Sequence, residues 1–209
     1  MSPIERLRRD AALLDVPLSD PDAARLLALL DELERWNRSY NLTAVSGREQ
    51  LVSHHLLDSL AVHQDLYGVR IADVGTGAGF PGLPLAVVNP QREFTLIDST
   101  AKKVRFVTHA IRVLGLANAT ALHARVESLK PQQPFDTVLA RAFAPLPQLL
   151  ERVTGLCGPD TRVLALKGKW PESELAALPA GWRLVSHREL VIPQLDAARC
   201  LLVLARAKP

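Results

Sequence analysis

The chain predicts an α/β fold, with a mostly parallel, Rossmann-like sheet, a helical extension before it and an antiparallel edge hairpin at its end. Three observations carry this expectation. After Gly68, short apolar runs alternate with helical segments. A glycine-rich corner follows the first of those runs. The last two runs are joined by a proline-bearing loop without helical periodicity, so they pair back on each other. The expected division is a helical extension over residues 1–67 and the α/β unit over residues 68–209.

The elements follow in order. Residues 3–15 place Ile4, Leu7, Ala11 and Leu14 at helical spacing. Ser19-Asp20-Pro21-Asp22 starts a second helix, with a capping hydroxyl, proline in the first turn and acids at the positive helix end. Its apolar face runs through Leu26, Leu29, Leu30, Leu33 and Trp36, and it stops between Asn37 and Asn41. A third helix is expected over 48–66, with Leu51, His54 or His55, Asp58 and Val62 on one side. Strands are expected at 69–74, 93–98, 120–123, 135–140 and 162–166, with a helix at 82–88 after the glycine corner. The closing hairpin takes 182–190 and 199–205.

Composition excludes several classes. The chain has 209 residues, 48% hydrophobic and 22% charged, which is the composition of a globular protein large enough to fold without staples. A formal net charge of +3 permits a nucleic-acid partner where the charge is clustered, without requiring one. Cys157 and Cys200 form neither a zinc spacing nor a redox pair, and read as reduced core residues of a cytoplasmic protein. Charge interrupts every apolar run near the amino terminus, so no secretory signal is expected. The longest apolar stretches, such as Cys200 to Ala205, are too short to span a bilayer. No metal site is expected, and a monomer is the default.

The sharpest local signal is Asp73-Val74-Gly75-Thr76-Gly77-Ala78-Gly79-Phe80-Pro81-Gly82. Glycines at a strand-to-helix corner let backbone approach a ligand, and the helix start offers unpaired N–H groups. A dinucleotide fingerprint needs glycine at position 80, where this chain has Phe80. The D-x-G-x-G-x-G spacing instead looks like the first motif of class I S-adenosylmethionine-dependent methyltransferases. Asp73 could attract the ammonium of such a ligand, directly or through water. Asp98 closes the second strand, where a carboxylate accepts from ribose hydroxyls. Ser99 or Thr100 is expected to cap the next helix and leave Asp98 free. Val126 and Glu127 suit an adenine wall.

Taken together, the motifs resemble the ribosomal RNA small subunit methyltransferase G family, also called glucose-inhibited division protein B. The resemblance rests on Tyr40-Asn41-Leu42-Thr43-Ala44, His55-Leu56-Leu57-Asp58-Ser59, the loop ending in Phe80-Pro81-Gly82, Asp98-Ser99-Thr100-Ala101-Lys102-Lys103, Arg125-Val126-Glu127, Ala140-Arg141-Ala142-Phe143-Ala144 and Leu166-Lys167-Gly168. It implies methyl transfer from S-adenosylmethionine to N7 of a guanine in 16S ribosomal RNA, free or in the small subunit. It also implies that Gly75, Phe80, Val126, Glu127 and Arg141 fall on cofactor positions. With the reading of the loop, the expected cofactor set is Asp73, Gly75, Gly77, Gly79, Phe80, Asp98, Val126, Glu127 and Arg141. The RNA candidates are Arg141, Lys167, Lys102 and Lys103, the last two in a basic cluster with Arg105.

The chemistry is compatible. Guanine N7 exposes a lone pair and needs no deprotonation, so no proton-transfer residue is assigned. The stretch Leu139 to Pro145 lacks the Asn/Asp-Pro-Pro-aromatic clamp used for exocyclic amines, and neither cysteine sits in a Pro-Cys loop. His55 and Asp58 share a helix face and could tie the extension to the main domain or border the acceptor pocket. Phe143 could stack on a flipped guanine, although core packing is the ordinary fate of a phenylalanine. Two other readings stand beside this one, a nicotinamide-dependent oxidoreductase and a non-enzymatic S-adenosylmethionine-binding regulator.

Overall fold

The computed structural model describes residues 1–207. Helix α1, Pro3–Ala12, opens on a capping box in which Ser2 and Glu5 satisfy each other's backbone N–H groups. It stops short of the expected residue 15 because the chain turns there, with Asp15 at a φ of 57°. Helix α2, Asp20–Tyr40, is capped by the Ser19 side chain and ends on a left-handed Asn41. The expected third helix is a composite. Helix α3, Arg48–Leu51, passes into a six-residue π-helical stretch, Val52–Leu57, and then helix α4, Asp58–Leu60. A separate 3-10 turn, His63–Asp65, fills the rest of the expected range. The wide π turn does not appear in apolar spacing, and such turns are frequent at functional sites.

The remaining elements are β1 Arg70–Val74, α5 Gly82–Val88, β2 Glu93–Asp98, α6 Ala101–Leu114, β3 Ala119–His123, β4 Phe135–Arg141, α7 Leu146–Val153, β5 Cys157–Lys167, α8 Glu172–Ala176, β6 Trp182–Glu189 and β7 Cys200–Arg206. They form one seven-stranded sheet in the order β3-β2-β1-β4-β5-β7-β6. The strands β1 to β5 pair in parallel, while β7 is antiparallel to both β5 and β6. The expected hairpin is therefore present, with β7 inserted beside β5 and β6 left as the edge. From β1 the chain moves outward to β2 and β3, then crosses back to β4 on the other side. That reversal opens a crevice at the carboxyl ends of β1 and β4, where ligands bind in such sheets.

Each sheet face has its own apolar cluster. On one face the extension joins the core directly: Leu26, Leu30, Leu33 and Leu56 share a cluster with Phe94 and Phe106. On the other, Leu149, Leu150 and Val153 of α7 pack with Ala72, Val138 and Val163. The extension is thus seated against α5 and α6, which delivers the π-helical stretch to the mouth of the crevice.

Candidate functional site

The glycine corner is a backbone device. Gly75, Gly77 and Gly79 have φ values of 65°, 62° and 87°, a region where other residues are strained. A Cβ on Gly75 would lie 2.3 Å from Phe143 Cδ2. Asp73 braces the corner from beneath: its Oδ2 accepts the Thr76 hydroxyl and, at 2.9 Å, the Gly82 N–H. Asp73 is 1% exposed, and its other oxygen, Oδ1, has no protein partner. Burial pushes its carboxyl up to about 6, although Thr76, Gly82 and Arg141 pull the other way. Asp73 and Gly79 line neither cavity beside the loop. Gly79 sits against Leu83, where a Cβ would come within 2.3 Å of Cδ1.

The first cavity, about 250 Å³, collects Gly75, Asp98, Lys103, Val126, Glu127 and Phe143. Asp98 departs from expectation. Thr100 makes no side-chain cap; Asp98 Oδ1 accepts the Thr100 N–H at 2.8 Å, and Oδ2 accepts the Gly77 N–H at 3.0 Å. A carboxylate two residues before a free N–H closes this local turn more readily than the hydroxyls can. Asp98 therefore fixes both the glycine corner and the start of α6, with lone pairs left toward the cavity. Val126 and Glu127 lie on a 3-10 turn, Val126–Ser128, the first buried and the second exposed. Phe143 belongs to this cavity, not to the neighbouring one, with the Arg152 guanidinium 5.7 Å from its ring.

The second cavity, about 540 Å³, shares Gly75, Lys103 and Ala142 with the first. Ala142, directly after β4, has a φ of 52°, a costly backbone conformation held at the junction of the two. Here Arg141 Nη1 donates to the His54 carbonyl and to Asp58 Oδ2, both at 2.9 Å. Arg199 Nε reaches the other oxygen of Asp58 at 3.0 Å. One buried carboxylate thus holds two arginines, leaving a net positive cluster. Phe80 stacks on His55 at 4.6 Å and 18°. His55 Nε2 meets the Thr43 hydroxyl at 2.9 Å, and Nδ1 has no partner. Burial first, then Arg141 and His54, lowers the His55 pKa to about 3, so the ring is neutral.

The lysines separate. Lys103 lines both cavities, 3.8 Å from Asp98 Oδ2. Lys167 lines the second, bound to Ala144 O at 3.1 Å and Glu174 at 2.8 Å. Lys102 lines neither cavity and donates to Tyr40 O at 3.0 Å, pointing away from Lys103 because adjacent helix positions lie 100° apart. Sequence reasoning left Thr43, His55 and Asp58 without assigned roles and missed Arg199. The His55-to-Asp58 spacing was a signal; Arg199, in a loop before β7, carries no local pattern. Among the described residues there is no cluster of potential metal ligands and no helix long and apolar enough to cross a membrane.

The family described as GidB, rRNA small subunit methyltransferase G, matches residues 22–203. The chain belongs to this family. It is 44% identical over 203 residues to the ribosomal RNA small subunit methyltransferase G of Marinobacter nauticus, covering 97% of this chain and 95% of that one. To the Aeromonas hydrophila protein of the same name it is 43% identical over 206 residues, covering 99% and 96%. Solved structures give the fold. A SAM-dependent methyltransferase from Aquifex aeolicus aligns with TM-score 0.57 and 20% identity, over 79% of this chain and 97% of that one. A ribosomal protein L11 methylase from Lactobacillus delbrueckii aligns with TM-score 0.54 and 15% identity, over 73% and 77%. The sheet is that of a class I methyltransferase with a helical extension. For this member of the GidB family, Gly75, Phe80, Asp98, Val126, Glu127, Arg141 and Lys167 line one crevice, with Phe80 buried at 3% where a dinucleotide fingerprint needs glycine.

Proposed function

We propose that the protein transfers a methyl group from S-adenosylmethionine to N7 of a guanine in 16S ribosomal RNA. The carrying observation is that the GidB motifs meet in two cavities joined at Gly75, Lys103 and Ala142. Bound S-adenosylmethionine supplies an electrophilic sulfonium methyl for in-line displacement. The residues present suit it. Asp98 and Glu127 offer acceptors for hydroxyl and amino groups in the first cavity, and Val126 an apolar wall. Arg141 and Arg199 offer cationic donors for a carboxylate or phosphate in the second. Asp73 contributes from beneath the loop, holding it through the Thr76 hydroxyl and the Gly82 N–H.

The chain's own contribution is alignment and charge. Asp58 fixes Arg141 and Arg199 in one orientation, and positioning of reactants supplies up to about 7–11 kcal/mol in favourable systems. His55 stays neutral and stacked on Phe80, so it adds no charge to the cluster of Arg141 and Arg199. Lys103, Lys167 and Arg199 line this mouth and Lys102 lies beside it on α6, which supports contact with RNA phosphates there. The test is incubation with labelled S-adenosylmethionine and undermethylated small subunits, followed by mapping of the RNA. Label at a guanine N7 is expected; transfer to another atom or no transfer overturns the reading.

A further inference from the structure

The second cavity continues past Lys167. Gly168 and Arg199 also line a wider groove of about 810 Å³. Its floor is Lys169, Trp170 and the end of β6, and its far wall is the loop over 190–199. That loop is fixed in place. Leu190 and Ile192 are buried, the Leu190 N–H donates to Arg199 O at 2.8 Å, and the Gln194 amide donates to the buried Asp10 of α1. The groove therefore exists before any partner arrives.

Trp170 is 47% exposed, whereas Trp182 is 8% exposed and Trp36 packs on the core. Its ring centroid lies 4.6 Å from that of His187 with the planes 58° apart, so the imidazole packs at a tilt against the indole and props it in place. An indole standing half in water adds little to the core and suits a planar ligand. Lys169 and Arg199 supply cations along the same groove, while the Arg188 guanidinium is taken up by Asp65 and the Ala61 carbonyl, both at 2.6 Å. Glu189 and Asp196 also line it, so this wall suits base faces and amino edges better than an unbroken run of phosphates.

We propose that this groove binds unpaired RNA nucleotides flanking the methylated base, with Trp170 as the stacking platform. Continuity with the acceptor cavity sets the direction: a nucleotide entering beside Arg199 leads its neighbour past Gly168 onto Trp170. Base–aromatic stacking is sequence-tolerant, so the platform orders the strand without reading it. The proposal rests on the methyl-transfer reading above.

The test uses the full chain, Trp170→Ala and Trp170→Phe, with a single-stranded RNA of about 12 nucleotides and its duplex. Single-stranded RNA should quench the tryptophan emission of the unaltered protein, and the duplex should do so far less. Trp170→Ala should weaken single-strand affinity about tenfold, with Trp170→Phe within about threefold of the original. Affinity for S-adenosylhomocysteine should be the same in all three. On 16S RNA, Trp170→Ala should raise KM with kcat little changed. Unaltered RNA affinity in Trp170→Ala, or emission indifferent to RNA, overturns the proposal. So does a Trp170→Ala defect confined to assembled subunits with free-RNA affinity intact, which assigns the groove to a ribosomal protein. If the unaltered protein transfers no methyl to 16S RNA, the enzymatic reading fails, while quenching still reports on the groove.

Discussion

Replacing Asp73 by Asn tests the loop's electrostatics most directly. The carboxyl is 1% exposed, and one oxygen has no partner. Burial raises its pKa from 3.8 to about 6. The unfolded chain therefore ionises first as pH rises, and the folded state loses stability between those two values. At about 1.36 kcal/mol per pH unit, the whole loss is about 3 kcal/mol above pH 6. Asn keeps an oxygen for Thr76 and Gly82 and removes the charge, so this pH dependence disappears. The stability difference, variant minus original, should grow in the variant's favour by about 1.5 kcal/mol between about pH 5 and pH 7.5. The absolute offset depends on how the new amide nitrogen is received; the slope does not. Other titrating groups cancel, since both proteins contain them. Urea unfolding at several pH values gives the difference. A curve flat within about 0.5 kcal/mol across that range would refute the idea that an uncompensated charge lies under the loop.

Further outcomes follow from the same contacts. Asp58→Asn leaves two guanidinium groups, 20% and 23% exposed, without their shared counter-ion; it should cost about 3–5 kcal/mol and lower Tm by roughly 6–20 °C in a thermal melt, and an unchanged Tm removes the carboxylate as a clamp. Arg141→Ala leaves Asp58 paired with Arg199, so it should melt higher than Asp58→Asn while slowing methyl transfer roughly 10- to 100-fold; a rate within about twofold takes Arg141 out of the site. Gly75→Ala sets a methyl against Phe143 at a φ of 65° and should destabilise by about 2–4 kcal/mol in denaturant, with Phe143→Ala recovering the steric part but not the backbone part. His55, lowered to about 3 chiefly by burial, should show a constant ring-proton resonance from about pH 5 to pH 8, and a titration in that window would mean the ring is solvated.

The sequence alone determined the order of strands and helices along the chain, the glycine corner and the family. These are local properties: apolar period, turn chemistry and short motifs lie within a few residues of one another, and the chain writes them in plain succession. Even the composite third helix announced His55 and Asp58 through their spacing. Tertiary structure decided the rest. That Asp98 holds both the corner and α6, that Lys102 turns away while Lys103 faces the crevice, and that Asp73 lies sealed under its loop depend on which atoms reach which once the sheet has formed. The pairing of Asp58 with Arg199 joins residues 141 positions apart. A contact of that separation leaves no periodic trace, because it exists only after β7 docks beside β5 and the extension seats its π turn at the crevice mouth.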